Sequence, residues 1–335
     1  MSAARTSSDP TSSTRTGEQH WSARPEGGGY FAIWLIMKIG LLCGRGAARL
    51  LLYPITLYFF VRRRYERHVS YAFLARAFGR EASAWQVMRH FHRFASTILD
   101  RMFLLSERYT RFDIKVHGLS ELVSRIHPDR GVLLLGAHVG SFEALRVLAT
   151  ERPDVKVCAL LDTQKTPALT QILHALNPRI AKNVIDASRP GTEIVLALGE
   201  ALSEGALVTL LADRAREHEE TVLVDFMGSP APFPAAPFLI GSLLKVPMVM
   251  CIGMYRGRNR YDLYFEALAD ELVLPRVARK TALRAFVQHY ATRLEHYVRQ
   301  DPYNWFNWHD FWKIEHSGGV ESPDRDAALA GRGAG

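Results

Sequence analysis

Residues 131–149, GVLLLGAHVGSFEALRVLA, carry an apolar run into a short glycine-bounded junction that holds a histidine, His138. A glutamate, Glu143, follows five positions later. On one continuous helix, residues five apart point about 140° away from each other, so the two side chains share no face. They can meet only if His138 precedes the helix and Glu143 lies in its first turn. The local sequence fits that arrangement. Gly136 and Gly140 loosen the junction, Ser141 or Gly140 can cap the helix, and a carboxylate near a helix start is favoured by the macrodipole. An imidazole beside a carboxylate can act as a general base, because the carboxylate fixes the tautomer and steadies the imidazolium. No protein nucleophile accompanies the pair. The G-x-S-x-G elbow is missing, and Cys158 sits in an apolar strand pattern. The attacking group would then be a hydroxyl or amine of the substrate. The same residues also fit a capped helix start with an incidental histidine.

Other clusters are less informative. The three cysteines, Cys43, Cys158 and Cys251, are far apart and show no metal spacing, so a zinc site or disulfide framework is not expected. His90 and His92 have no carboxylate at ligand spacing and read as surface or packing residues. The formal net charge of +8 favours an anionic partner: a membrane surface, a nucleic acid or an acidic carrier protein.

The elements that must position His138 follow from periodicity. From residue 112 onward, eight apolar stretches read as strands: 112–118, 131–137, 155–161, 183–187, 206–213, 221–228, 246–256 and 261–268. Helical segments separate several of them, near 141–150, 166–176, 191–203 and 235–245. This alternation predicts an α/β fold with a mostly parallel central sheet covered by helices. Residues 70–110 read as helices, and 278–300 as a terminal amphipathic helix. The aromatic stretch DPYNWFNWHDFW closes the fold. Four regions result: a disordered tail at 1–29, a membrane-anchoring apolar and basic segment at 30–62, a catalytic domain at 63–315 and a second tail at 316–335.

In the segment 30–62, no uncharged run reaches the roughly 18 residues of a simple spanning helix. Lys38, Arg45 and Arg49 fall within about 40° of one another on a helical wheel. The expectation is an interfacial helix whose basic stripe meets anionic headgroups, broken or kinked at Pro54. The following RRRYERH should stay on the cytoplasmic side. Because the basic residues cluster beside apolar sequence, nucleic acid is not an expected partner.

Several motifs in order resemble one family. AHVGSFE is similar to the H-x-x-x-x-[D/E] motif of glycerolipid and lysophospholipid acyltransferases. Its glutamate form resembles the bacterial late acyltransferases of lipid A biosynthesis. The stretches VIDASRPGTEIVLALGEALSEGALVTLLADR and VLVDFMGSPAPFPAAPFLIGSLLKVPMVM continue the likeness, which spans residues 30–312. The resemblance implies acyl transfer from an acyl thioester, acyl-carrier protein or acyl-CoA, to a hydroxyl of a lipid or glycolipid at the bacterial inner membrane. No metal or organic cofactor is implied. It makes His138 the general base and Glu143 its partner. Arg189 is the basic residue that meets an anionic or carbonyl group, with Arg179 and Arg214 as weaker candidates. Asp213 is the aspartate at the sheet's carboxyl edge; Phe226 and Gly228 belong to a pocket-building loop, and Gly140 and Ser141 flank the base. One departure stands out. Where the family commonly ends on a basic stretch, Asp310 and Phe311 occupy the arginine positions. That suits an acceptor less phosphorylated than lipid A, and the ending is similar to acyltransferases encoded with aryl-polyene pigment pathways. The rival reading from another class is a non-catalytic lipid- or carrier-binding protein on the same fold.

Overall fold

The computed structural model describes residues 30–105, 111–145, 155–164, 181–216 and 219–314, with the backbone alone at 30–43 and 145. The two expected tails, the helix expected at 166–176 and Arg179 lie outside the described residues.

Three helices lead in: α1 (Tyr30–Arg62), α2 (Arg64–Phe78) and α3 (Ala84–Leu105). Strand β1 (Asp113–His117), the short helix α4 (Leu119–Val123) and strand β2 (Val132–Gly136) follow. A 3-10 turn at Phe142–Leu145 comes next, then β3 (Val157–Leu161), β4 (Val184–Asp186), α5 (Gly191–Ser203) and β5 (Leu207–Leu211). The second half holds β6 (Thr221–Phe226), β7 (Ser229–Pro234), α6 (Ala236–Leu244), β8 (Met248–Gly257), β9 (Arg260–Ala269) and α7 (Arg279–Gln300). A 3-10 turn at Pro302–Asn304 leads into the aromatic ending.

Seven strands form one sheet in the order β1-β9-β8-β2-β5-β3-β4. Every neighbouring pair is parallel except β8 with β9. This is the mostly parallel, helix-covered α/β sheet that the apolar runs imply. Strand β2 is buried at every position because side chains alternate between two covered faces. Leu133 and Leu135 join one core with Val208, Leu210 and the α7 residues Val287, Tyr290 and Leu294. Val132 and Leu134 join the other, against Leu52 of α1 and Leu99, Phe103 and Leu104 of α3.

The hairpin β6–β7 lies outside the main sheet and is antiparallel. Its second strand, SPAPFP, escapes sequence reading because Pro230, Pro232 and Pro234 discourage a strand assignment. A two-stranded ribbon tolerates them, since each strand has a free edge. Met227 (φ 52°) and Gly228 (φ 77°) form the two-residue turn, with the positive φ values that a tight hairpin needs.

Helix α1 differs from expectation in where it breaks and in where its basic stripe points. It runs through Pro54 to Arg62, and its non-helical break falls at Gly44 (φ 85°). Among the described residues, no helix is long and apolar enough to cross a membrane. The basic stripe is turned toward protein at Arg45 and Arg49. Arg45 makes two 2.7 Å hydrogen bonds to the buried carboxylate of Asp100 in α3, and Arg49 donates to the Arg258 carbonyl at 2.5 Å. Asp100 also accepts from the Tyr261 hydroxyl at 3.0 Å. An unpaired carboxylate at that depth would be costly, and the two-pronged guanidinium of Arg45 is what balances it. Solvent is faced instead by Leu50, Tyr53, Leu57, Tyr58 and Val61.

Candidate active site

The carboxyl ends of β2, β5, β3 and β4 lie at one edge of the sheet, where ligands bind in open α/β folds. Strand register then decides which side chains meet. Gly136 of β2 pairs with Leu211 of β5. Two residues further along each parallel strand come His138 and Asp213, side by side. His138 Nδ1 lies 2.7 Å from Asp213 Oδ1, and the His138 backbone N–H donates to Asp213 Oδ2 at 3.0 Å. The Asp213 side chain is fully buried, whereas that of His138 is 32 % exposed.

An ionised carboxylate only accepts, so this contact puts the proton on Nδ1 and leaves the Nε2 lone pair as the basic site. Burial pushes the imidazole below its ordinary value, and the Arg214 cation pushes the same way; the Asp213 carboxylate opposes both without overcoming them. The ring is therefore neutral at neutral pH and ready to accept a proton. Burial alone would raise the Asp213 carboxyl. The imidazole it faces, Arg214 and the His138 amide outweigh that and hold it below the usual carboxylate range.

Glu143 sits in the 3-10 turn just after the junction, as the spacing requires. Its carboxylate is engaged by Arg101 of α3, at 2.7 Å from Nε, and by the Ser141 hydroxyl, at 3.0 Å. Asp213, not Glu143, is the hydrogen-bond partner of His138 Nδ1. Gly140 (φ 61°) has a role beyond loosening the junction. A Cβ there would fall 2.0 Å from the Gly253 carbonyl oxygen, so the backbone of β8 can approach only glycine. Ser141 N–H then donates to that same carbonyl at 2.8 Å.

The remaining candidates are more dispersed. Arg189 is exposed after β4, three strands from β2, or about 14 Å across the sheet edge at ordinary strand spacing. Arg214 is deep beside the pair and donates to the Phe306 carbonyl; burial pushes its guanidinium down to about 10. Phe226 is buried among aromatic rings, 5.3 Å from Trp305 and 5.6 Å from Phe311, and Gly228 is the hairpin turn. His90 and His92 are packing residues. His90 is fully buried, with Nδ1 2.8 Å from the Ser70 hydroxyl and Nε2 2.9 Å from the Trp305 carbonyl. Cys158 is buried. Among the described residues no three His, Cys, Asp or Glu side chains cluster to hold a metal ion.

Two residues near the pair escaped sequence reading. Arg101 lies on α3, far upstream of the motif, and nothing in its neighbourhood distinguishes it. Trp305 belongs to the aromatic ending and donates its indole N–H to Asp213 Oδ2 at 3.1 Å.

A sequence profile described as bacterial lipid A biosynthesis acyltransferase matches residues 21–314. The chain belongs to that family. Compared with curated proteins, it has no match. The ending that departs from the family's basic pattern also has a structural explanation: Phe311 is buried in the aromatic cluster, 5.0 Å from Trp305, where an arginine would be out of place.

Proposed function

We propose that the protein moves an acyl group from an acyl thioester, on acyl-carrier protein or CoA, to a hydroxyl of a lipid or glycolipid, with His138 as general base. The observation that carries this reading is the 2.7 Å contact between His138 Nδ1 and Asp213 Oδ1 at the carboxyl edge of the sheet. The acceptor hydroxyl attacks the thioester carbonyl while Nε2 takes its proton. The tetrahedral intermediate then collapses, and the leaving thiolate recovers that proton from the imidazolium. Asp213 holds the ring and balances its transient charge, as the carboxylate does in a triad. Glu143, which motif resemblance makes the partner of the base, here fixes Arg101 and Ser141 at the lip of the site. Arg189 is too remote at its backbone to reach the oxyanion, and suits an anionic group further along the substrate. Gly140 and Ser141 shape the loop that carries the base.

The reaction would take place at the inner membrane, with the domain on the cytoplasmic side. The exposed apolar face of α1 supports this, since Leu50, Tyr53, Leu57, Tyr58 and Val61 are open while the cations behind them are paired inward. The net positive charge favours an anionic surface and an acidic donor protein alike. The buried Phe311 and exposed Asp310 favour an acceptor with fewer phosphates than lipid A.

The test is acyl transfer by purified protein, offered lauroyl thioesters of acyl-carrier protein and of CoA with extracted bacterial glycolipids, and read by mass spectrometry. Formation of an acyl ester that disappears in His138→Ala supports the reading. Ligand binding without turnover would favour the non-catalytic alternative.

A further inference from the structure

Resting on the general-base reading of His138, we infer that the indole N–H of Trp305 is a positioning group that aims Asp213 at the base. A carboxylate at the end of a strand can rotate about its terminal torsion. Three donors restrain this one. His138 Nδ1–H occupies Oδ1, while the His138 amide and the Trp305 indole, at 3.0 and 3.1 Å, share Oδ2. The amide belongs to the same loop as the base. Only the indole comes from elsewhere in the chain, so it alone ties the carboxylate to an independent support.

That support is firm. Trp305 has no exposed surface, and its ring packs edge-on against Phe73, Phe226 and Phe311 at 4.9 to 5.3 Å. Its carbonyl accepts from His90 Nε2, and the Ser70 hydroxyl lies beside Nδ1, which fixes the tautomer of that buried histidine. The backbone on either side of Trp305 grips the catalytic loop. Phe306 N–H donates to the His138 carbonyl at 2.8 Å, and Gly140 N–H donates to the Asn304 carbonyl at 2.7 Å. Asn304 is anchored in turn to β8, accepting from the Tyr255 N–H at 2.8 Å and donating to its carbonyl at 3.2 Å. Base, partner and support therefore form one closed circuit through β2, β5, α3 and the aromatic ending.

The charged and titratable groups around this circuit are known. Arg214 and Asp213 follow β5, Arg101 reaches in from α3 paired with Glu143, His90 lies behind Trp305, and Tyr290 of α7 donates to the Gly136 carbonyl at 2.7 Å. Of these groups, removing the indole N–H touches Asp213 alone directly. A change in the titration of His138 would thus report on Asp213.

The experiment replaces Trp305 with β-(3-benzothienyl)alanine, in which sulfur stands for the N–H with little change in shape, and separately makes Trp305→Phe. Turnover is measured with lauroyl-carrier protein and the glycolipid acceptor. In parallel, carbethoxylation of His138 by diethyl pyrocarbonate is followed by peptide mass spectrometry from pH 4 to 8, which needs no substrate. The expected result for the isostere is a kcat lower by about 10-fold with KM little changed, as for loss of one hydrogen bond to a charged group. The pH midpoint of His138 modification should move by about half a unit or more. Wild-type turnover and an unmoved midpoint in the isostere overturn the inference, even if Trp305→Phe is poorly folded. Should His138→Ala keep wild-type activity, the reading beneath it fails instead.

Discussion

Two buried aspartates divide the labour of this molecule. Asp100 in α3 and Asp213 after β5 both have fully buried side chains and both are met by three hydrogen bonds. Asp100 faces an arginine, which stays charged at every accessible pH, and a tyrosine hydroxyl. Burial still pushes its carboxyl above the ordinary value against the pull of Arg45. Asp213 faces a histidine that can gain and lose a proton, and that histidine is open to solvent on one side. The first arrangement is a clamp that fastens α1 to the domain; the second, under the proposed mechanism, handles a proton. What separates them is the titration range and exposure of the partner, since the carboxylates themselves are equally deep.

Mutations should widen that contrast. The largest effect is expected at the base. His138→Ala should lower kcat by about three orders of magnitude or more in the acyl-transfer assay, within the range for loss of general-base catalysis, with the melting temperature nearly unchanged. Asp213→Asn should follow, lowering kcat by about 10²- to 10⁴-fold because the amide favours the wrong imidazole tautomer. Glu143→Gln provides the internal comparison. It should cost clearly less than Asp213→Asn, and the reverse order would return the partner role to Glu143.

At the clamp the loss should appear in stability. Asp100→Ala should destabilise by about 3–5 kcal/mol, the usual cost of leaving one member of a buried ion pair alone, as read by urea unfolding. The folded fraction should keep its pH profile. A shifted profile would mean that clamp and base are coupled.

The smallest effect concerns His90. Burial lowers it to about 4 from 6.5. The unfolded chain therefore binds a proton that the folded chain refuses over the window between those values. Stability due to neutral His90 is fully present above about pH 6.5 and declines as pH falls toward 4. Between pH 7 and pH 5 the loss should be about 2 kcal/mol, and His90→Gln should flatten that part of the unfolding curve.

Strands were legible wherever both faces of the sheet are covered, because burial on both sides leaves continuous apolar runs such as VLLLG. The helix at 191–203 was legible as a helical segment between two apolar runs. The β6–β7 ribbon was half legible, since three prolines hide the second strand. At the site, the junction motif pointed to His138 and the family resemblance to Asp213, but neither joined the two. Their contact depends on β2 and β5 being neighbours in matched register, and sheet order is a long-range property. Local spacing pointed instead to Glu143, the nearest carboxylate along the chain. A helical wheel likewise grouped Arg45 with Arg49, but a wheel has no inside or outside. Asp100 and the Arg258 carbonyl, both distant along the chain, decide that the stripe faces protein.

The grip of Asn304 and Phe306 on the loop of His138 also has a temporal meaning. The chain is made from its amino end, so α1 emerges long before the aromatic ending that braces the base and its partner. A nascent chain would hold the apolar face of α1 ready for a surface while the loop of His138 was still unbraced. Under the proposed mechanism, activity would arrive only after Asn304 and Phe306 had been made, well after α1.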